Sequence, residues 1–431
     1  MEEFENIDFN FPTNNPSIIK VIGVGGGGGN AVNHMYREGI HDVNFVVCNT
    51  DSKALADSPV PVHLQLGKEG LGAGNRPLVA QDAAEESAKE IQAMLSDGTK
   101  MVFITAGMGG GTGTGAAPVI ARIAKEMNIL TVGIVTIPFR FEGDKKIDQA
   151  LDGVEAISKH VDALLVINNE RLRDIYPELT VMDAFGKADD TLSIAAKSIA
   201  EIITMHGVIN LDFNDVKTVL KDGGVAIMSS GYAEGENRVS KAIESALHSP
   251  LLNNNDIYNS QKILLSIGFC AENEGETLMM EEMNEIHEFM EKFGADVETK
   301  FGLATDPDLG KKVKVTILAT GFGINNVPGM DTVLAARSQE EAVKLADEEE
   351  GKQKREIRRN QFYGTGQTVS TYKRRHHIYI FNLDDLDNDN VISMVETTAT
   401  HRRTKDQLES IKAKSNNQDA DDSPKPKVIE F

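Results

Sequence analysis

The chain has 431 residues, 40% of them hydrophobic, and a formal net charge of −22 at pH 7. This length is enough for two domains and tails, and the acidic charge argues against a nucleic-acid-binding protein. No run approaches the roughly 18 consecutive apolar residues that span a bilayer, so we expect no direct membrane insertion. The acidic start lacks a signal-peptide pattern, and Cys48 and Cys270 lie in apolar runs. Both features indicate a reducing, cytoplasmic environment.

The first structured stretch follows a polar segment, residues 1–16, that reads as a disordered arm. Residues 17–24 predict a buried strand, which runs into the glycines 25–29 and Asn30, and a helix is expected from Ala31. A strand, a glycine turn and a helix place backbone amides and a helix N-terminus in front of an anion. The sequence therefore predicts a phosphate-binding turn here.

The second strand, residues 43–48, ends in Asn49, Thr50 and Asp51. Together with the first glycine turn, it fits a Rossmann dinucleotide site in which Asp51 holds a ribose. A dinucleotide-dependent enzyme therefore stays open at this point. It does not explain the second glycine loop that follows.

That second loop, residues 107–115, follows the apolar strand 101–106 and holds six glycines and two threonines in nine residues. It precedes a helix with Pro118 in its first turn, where the missing N–H is not needed. Its amides suit an anion, and the hydroxyls of Thr112 and Thr114 can bond phosphate oxygens. No G-x-x-x-x-G-K-[ST] motif is present, which excludes an ordinary P-loop protein.

The remaining pattern alternates strands with helices. A glycine loop at 70–77 and a helix at 79–95 come before the second glycine loop, and strands at 129–136 and 161–167 come after it. Long apolar strands of this kind predict an α/β fold with a parallel sheet covered on both faces. A long helix from 181 to 203 leads to a smaller α+β region with strands expected at 223–229, 262–270, 295–303 and 312–320 and helices near 236–248 and 276–293.

The glycine loop at 109–115 resembles the tubulin signature of the tubulin/FtsZ superfamily, and ordered motifs over 17–323 resemble its FtsZ family. The resemblance implies a tubulin-like GTPase domain at 17–180, a central helix at 181–208 and a second, smaller α+β domain at 209–323. Residues 324–431, polar and highly charged, then read as a disordered linker and partner-binding tail.

The resemblance also implies which residues bind GTP or GDP. The loop at 70–77 is implied to lie near the terminal phosphate, although the family usually has Ala-Asn-Pro where this chain has Asn75, Arg76 and Pro77. Glu142 is implied at the ribose with Lys146 in place of the usual Arg, and Phe185 and Asp189 are implied to stack on and read guanine. The implied nucleotide-binding residues are Gly26, Gly27, Gly28, Gly29, Asn30, Asn49, Asp51, Gly72, Ala73, Gly74, Gly109, Gly110, Gly111, Thr112, Gly113, Thr114, Glu142, Lys146, Phe185 and Asp189.

Catalysis is implied to need a second subunit. Residues 208–216 match the family's synergy loop, in which Asn210, Asp212 and Asp215 enter the nucleotide site of the next subunit and orient the attacking water. From the residues alone, Asp212 and Asp215 could equally start and cap the following helix. No protein metal site is expected, but Mg²⁺ is expected with the nucleotide.

The implied partners are further copies of the chain, stacked head to tail, and membrane-linked division adaptors such as FtsA, bound through the tail. The implied place is the inner face of the membrane at midcell. The chain end does not match the usual Asp-Ile-Pro-Ala-Phe-Leu docking motif. A tubulin-like protein with another task, such as plasmid segregation or cell shape, stays open as an alternative to division.

Overall fold

The computed structural model describes residues 17–324, apart from 41, 206, 249–256, 273–276 and 295. It also describes residues 327, 330, 381, 385, 388–399 and 402–415. The predicted arm at 1–16 and the extreme C-terminus lie outside these residues.

The strands are β1 Ile19–Val24, β2 Val43–Asn49, β3 His63–Gln65, β4 Met101–Gly107, β5 Leu130–Ile137, β6 Ala163–Asn168, β7 Gly207–Ile209, β8 Gly224–Ala233, β9 Lys262–Phe269, β10 Glu298–Thr305 and β11 Val313–Phe322. The helices before the long central one are α1 Gly25–Arg37, α2 Ser52–Ala56, α3 Pro77–Glu86, α4 Ala88–Leu95, α5 Thr112–Glu126, α6 Asp144–Ser158 and α7 Asn169–Ile175. The later helices are α8 Val181–Thr204, α9 Phe213–Leu220, α10 Arg238–Leu247, α11 Glu282–Met290, α12 Asp389–Glu396 and α13 Lys405–Ser415.

All eleven strands form one sheet in the order β3-β2-β1-β4-β5-β6-β8-β11-β9-β10-β7. Within this order, the seven neighbouring strands β3, β2, β1, β4, β5, β6 and β8 run parallel, as predicted. Successive residues of β1 enter different cores, with Ile19 and Val21 on one face and Ile22 and Val24 on the other. Side chains alternate across a strand, so a strand with a core on each face needs apolar residues at successive positions, which explains the continuous apolar runs in the sequence.

The two predicted domains share this sheet. Ala163, Leu164 and Leu165 of β6 pair with the start of β8, so the ladder continues from the glycine-loop half into the α+β half. Residues 17–324 accordingly belong to one compact unit. Sequence patterns do not show this junction, because pairing between strands distant in the chain leaves no local signal.

Helix α8 is the predicted central helix. It begins after Thr180, whose hydroxyl accepts the Asp183 amide, and it ends at Thr204, four residues before the predicted boundary. Its small and apolar residues at helical spacing, Ala188, Leu192 and Ala195, are buried, which packs α8 against α1. No helix in the described ranges is both long and apolar enough to cross a bilayer.

Two predictions about helices were wrong. The glycine run is not a loop before a helix at Ala31, because α1 already begins at Gly25. The absence of side chains lets this turn lie directly against β4, and that packing outweighs the low helix propensity of glycine. The helix predicted at 79–95 is two helices that meet at Ser87, whose hydroxyl accepts the Gly67 amide at 2.9 Å.

Two helices lie within the range predicted to be a disordered linker and tail. In α12, the Asn388 side chain accepts the amides of Asn390 and Val391. Val391, Leu408 and Ile411 are buried together, which joins α12 to α13. These residues are therefore ordered helices, and the rest of the prediction for 324–431 falls mainly outside the described residues.

Candidate functional site

The predicted phosphate turns meet at one edge of the sheet. Val24 pairs with both Cys48 and Ala106, and Ile137 pairs with Asn168, so β1, β2, β4, β5 and β6 end at the same level. The carboxyl ends of parallel strands are where α/β proteins bind ligands. The segments after these five strands form the candidate site.

The glycines of α1 divide into two groups. Gly26, Gly27 and Asn30 are exposed, whereas Gly28 and Gly29 are buried. A Cβ on Gly28 would lie 2.1 Å from the Thr105 carbonyl oxygen, but a Cβ on Gly26 would have no atom within 4 Å. Gly28 therefore permits close packing on β4, and Gly26 leaves open space where a ligand can approach.

The second glycine loop lies beside the first. A Cβ on Gly25 would lie 2.8 Å from the Gly113 amide nitrogen. Gly109 has a φ of 90°, and its amide donates to the Thr114 hydroxyl at 3.0 Å. Thr114 is buried and thus stabilises the loop internally, while Thr112 is partly exposed. Gly110 again has open space around the position of a Cβ.

The loop at 70–77 lies against the second glycine loop. A Cβ on Gly111 would lie 2.9 Å from the Ala73 Cβ and 3.0 Å from the Arg76 amide nitrogen. Gly72 and Gly74 have φ values of 81° and 55°, a region that favours glycine. The 70–77 loop and the second glycine loop are therefore neighbours in the structure, and the place of the 70–77 loop at the terminal phosphate stays a prediction.

The residues after β2 join the same cluster. The Thr50 and Thr112 hydroxyls are 2.7 Å apart, which links β2 to the start of α5. Asn49 is buried, and its side-chain oxygen accepts the Asp51 amide at 3.2 Å. The Asp51 carboxylate accepts the amides of Lys53 and Ala54 as the N-cap of α2.

Glu142 and Lys146 form an ion pair of 2.6 Å between Oε2 and Nζ. The other Glu142 oxygen accepts the Phe139 amide at 2.9 Å. Lys146 also lies at the glycine loop, because a Cβ on Gly109 would meet its carbonyl oxygen at 2.6 Å. The pair therefore borders the candidate site after β5.

Phe185 and Asp189 lie one turn apart on α8. The Phe185 ring is 39% exposed and makes edge contacts with Phe139 and Phe141. Burial raises the pKa of Asp189 to about 6, the nearby His34 opposes this shift, and Asp190 adds to it. An aromatic surface beside a half-buried carboxylate is suited to a flat base that donates hydrogen bonds.

The predicted catalytic residues lie elsewhere. Asp212 is the N-cap of α9 and accepts the Asp215 amide at 2.9 Å, and Asp215 accepts the Asp212 amide in return. Asp215 also pairs with Lys300 of β10 at 3.3 Å, and the Asn210 side chain accepts the Gly207 amide. The capping interpretation is thus confirmed, and within one chain these residues do not join the glycine loops.

Comparison with known proteins identifies the family. The family model "Tubulin/FtsZ family, GTPase domain" matches residues 18–177, "FtsZ family, C-terminal domain" matches 224–323 and "FtsZ, C-terminal" matches 373–418. The cell division protein FtsZ of Porphyromonas gingivalis is 50% identical over 414 residues, which cover 93% of this chain and 89% of that protein.

The chain belongs to the FtsZ family.

Two further FtsZ proteins agree with this assignment, and a more distant structure shares the fold. The FtsZ of Azotobacter vinelandii is 45% identical over 74% of this chain and 80% of its own length. A solved FtsZ dimer of M. jannaschii is 38% identical, with a TM-score of 0.64 over 70% of this chain and 88% of that one. The GDP-bound CetZ1 of Haloferax volcanii, 22% identical with a TM-score of 0.63 over 74% of this chain and 99% of its own, shares the fold.

Membership in the FtsZ family confirms the predicted tubulin-like fold and a GTPase. It also removes the dinucleotide-dependent alternative, since the first glycine turn belongs to the matched GTPase domain. The roles of the individual site residues stay predictions.

Further residues that were not predicted from the sequence border the candidate site. The buried Asn169 Oδ1, directly after β6, has no hydrogen-bond partner among the described residues. Phe139 and Phe141 stack at 5.2 Å beside Phe185, and Gln149 of α6 binds the glycine loop. Asn169, Phe139 and Phe141 each carried a sequence signal, because they follow buried strands at the ligand-binding edge, whereas Gln149 lies within a helix and carried none.

Proposed function

We propose that this GTPase polymerises head to tail and that its filaments serve cell division. The names of the relatives support division, and the solved FtsZ dimer supports self-association. The single observation that carries the mechanism is the separation of the acid pair Asp212 and Asp215 from the glycine loops of the same chain.

That separation follows from the strand order. Asp215 pairs with Lys300 of β10, and β10 lies six strand positions from β4, which leads into the second glycine loop. At about 4.8 Å per strand, this distance is on the order of 30 Å, far beyond the reach of a carboxylate side chain. An acid pair from a second chain can instead meet the site, and repeated head-to-tail contacts of this kind produce a filament.

The nucleotide would lie along the edge described above. Its phosphates would face the exposed amides of α1 and of the 107–115 loop, with the 72–74 loop at the terminal phosphate. Glu142 with Lys146 would hold the ribose, and Phe185 with Asp189 would hold guanine. The open space at the Cβ positions of Gly26 and Gly110 leaves the backbone at both residues accessible to a ligand.

Mg²⁺ fits this site as a partner of the nucleotide. In the described part of the chain, no group of three or more His, Cys, Asp or Glu residues could hold a metal ion. Mg²⁺ commonly binds through substrate phosphates and keeps several waters. In an acidic chain, bound Mg²⁺ would neutralise phosphate charge during hydrolysis.

Hydrolysis would occur where two subunits meet. Phosphoryl transfer requires a water in line with the leaving group and charge stabilisation, with little covalent assistance from the protein. Asp212 and Asp215 of the incoming subunit would orient that water, with Asn210 beside them. The exposure of Asp212 at the start of α9 supports this role, since its carboxylate keeps oxygen lone pairs free beyond its capping bond.

The cellular setting rests on the relatives. Their division role supports a cytoplasmic protein at the inner face of the membrane at midcell, linked there by adaptors such as FtsA. The tail at 324–431 is the proposed docking segment, and the family model over 373–418 includes the α12 and α13 pair. Fluorescent labelling of the chain in dividing cells would test this placement. A band at midcell is expected, and a diffuse or pole-to-pole pattern would contradict it.

The first experiment measures GTPase activity against protein concentration for the wild-type chain and for Asp212→Asn. Asn is as good an N-cap as Asp, so this variant should keep α9 and GDP affinity but lose most activity. We expect the wild type to show a threshold concentration. Activity proportional to concentration from the lowest dose, unchanged in the variant, would mean a site complete within one chain.

A further inference from the structure

Gln149 of α6 binds the second glycine loop on the side that faces α6. Its side-chain Nε2 donates to the Gly110 carbonyl oxygen at 2.8 Å and to the Gly109 carbonyl oxygen at 3.3 Å. Gly110 itself has open space where a Cβ would lie. One side chain therefore fixes two consecutive carbonyl groups in a segment with few side chains of its own.

The planar peptide bond converts this contact into an orientation of amides. In a trans peptide, the carbonyl of one residue and the N–H of the next point in opposite directions, and the chain contains no described cis peptide. Holding the Gly109 and Gly110 carbonyls toward α6 therefore turns the N–H groups of Gly110 and Gly111 away from α6. The Gly110 amide takes part only in the weak turn at residues 108 and 109, and the Gly111 amide donates no hydrogen bond within the described residues.

Without Gln149 this orientation would be weakly determined. Gly109 has a φ of 90°, and glycine moves readily between backbone regions that other residues avoid. The Thr114 hydroxyl fixes only the Gly109 amide at the start of the segment. The next two peptides depend on Gln149 for their direction.

We propose that Gln149 is a positioning residue that keeps the Gly110 and Gly111 amides directed at the nucleotide phosphates. This inference rests on the proposed placement of the phosphates at the 107–115 loop. Gln149 does not touch the nucleotide. Its effect is to preorganise two donors, so that binding a phosphate does not require the loop to be ordered first.

The side chain can be changed without disturbing a packed core. Gln149 is partly exposed and lines a cavity of about 370 Å³ between α3, α5 and α6. Gln149→Met keeps the length and removes the donor. Gln81→Met is the matched control, because Gln81 lines the same cavity and makes no bond to the loop among the described residues.

The test compares affinities for GDP and for guanosine, which lacks phosphates, in the full chain. Losing one or two hydrogen bonds from the loop amides to the phosphates, each of the usual strength, corresponds to about a tenfold loss of affinity. We expect Gln149→Met to weaken GDP binding about tenfold and to leave guanosine binding unchanged. Because two hydrogen bonds are removed, the thermal unfolding temperature of the nucleotide-free protein should fall by no more than about a few degrees. Gln81→Met should match the wild type in all three measurements.

Each other outcome is decisive. If the variant weakens GDP and guanosine equally, or binds GDP like the wild type, Gln149 does not position the phosphate donors. If the wild type itself binds guanosine as tightly as GDP, the proposed phosphate placement fails, whatever the variant does. The two failures are therefore distinguishable.

Discussion

Asp189 is the residue whose environment most affects its chemistry. Burial raises its pKa to about 6, with Asp190 adding to the shift and His34 opposing it. His34 lies close because its Nε2 pairs with Asp190 at 2.8 Å. In the nucleotide-free protein, burial favours the neutral carboxyl, so this contribution to stability is present at low pH and lost as the pH rises through about 6.

Guanine binding should reverse that preference, because the N–H donors of guanine require the ionised carboxylate. We therefore expect the affinity for guanosine, which has no titrating phosphate, to be constant between about pH 7 and 8 and to fall about tenfold by pH 5, since the proton must be removed before binding. Calorimetric titrations across this range measure the effect. Asp189→Asn cannot titrate and should show a flat profile; an equal slope in that variant would assign the pH dependence to another group.

At the scale of the element, α1 shows how one glycine run serves two purposes. The buried Gly28 lets the helix lie on β4, and the exposed Gly26 keeps the ligand side clear. The sequence presents these glycines as equivalent. Only the contacts of the helix distinguish a packing residue from a binding residue.

The two glycines should therefore respond oppositely to alanine. Gly28→Ala places a Cβ 2.1 Å from the Thr105 carbonyl oxygen, and overpacking of this kind costs about 1–3 kcal/mol or more of unfolding free energy. Gly26→Ala adds a methyl in open space and a better helix former, so stability should hold while GDP affinity falls. Chemical denaturation and GDP titration of both variants check this, and equal stabilities would contradict the assigned packing.

In helix α9, two residues likewise have a structural role and a proposed functional role. Asp212 and Asp215 cap the helix reciprocally, and a cap of this kind contributes about 1 kcal/mol. The same arrangement holds the Asp212 carboxylate exposed and the Asp215 carboxylate partly exposed beside Lys300. The structural and the proposed catalytic roles of these two residues are therefore compatible. Variants that retain the helix cap, such as Asp212→Asn, distinguish one role from the other.

At the scale of the whole molecule, the site and the acid pair lie at distant strands of one rigidly hydrogen-bonded sheet. A continuous ladder through β6 and β8 holds them at a fixed separation. Each subunit would thus present a nucleotide at one end and an acid pair at the other, which is the geometry of a heterologous, non-closing contact.

Mixing two defective variants tests this geometry. Gly110→Asp, which places a carboxylate at the phosphates, and Asp212→Asn should each be inactive alone. In an equal mixture, about one contact in four would join an intact site to an intact acid pair, so about a quarter of wild-type GTPase activity should return. A mixture that stays inactive, although both variants still copolymerise, would exclude catalysis across the subunit contact.

Much of this protein was predictable because its signals are local. Buried parallel strands are continuous apolar runs, and phosphate turns are glycine runs that follow them, so the α/β fold and the edge that holds Gly26, Gly110 and Asp51 could be predicted. The capping alternative for Asp212 and Asp215 was also visible from their spacing.

The remaining features depend on residues that are distant in the chain. The sheet that joins both halves, the packing role of Gly28, the internal role of Thr114 and the contact of Gln149 with the glycine loop arise only after folding. By itself the sequence determined the long buried strands, the central helix and the glycine turns, since these follow from local periodicity and backbone preference. It did not determine the start of α1 at Gly25, the break at Ser87 or the helices α12 and α13. The tertiary structure alone decided which side of each segment packs and which side faces the nucleotide, because that depends on the neighbours that folding brings within contact.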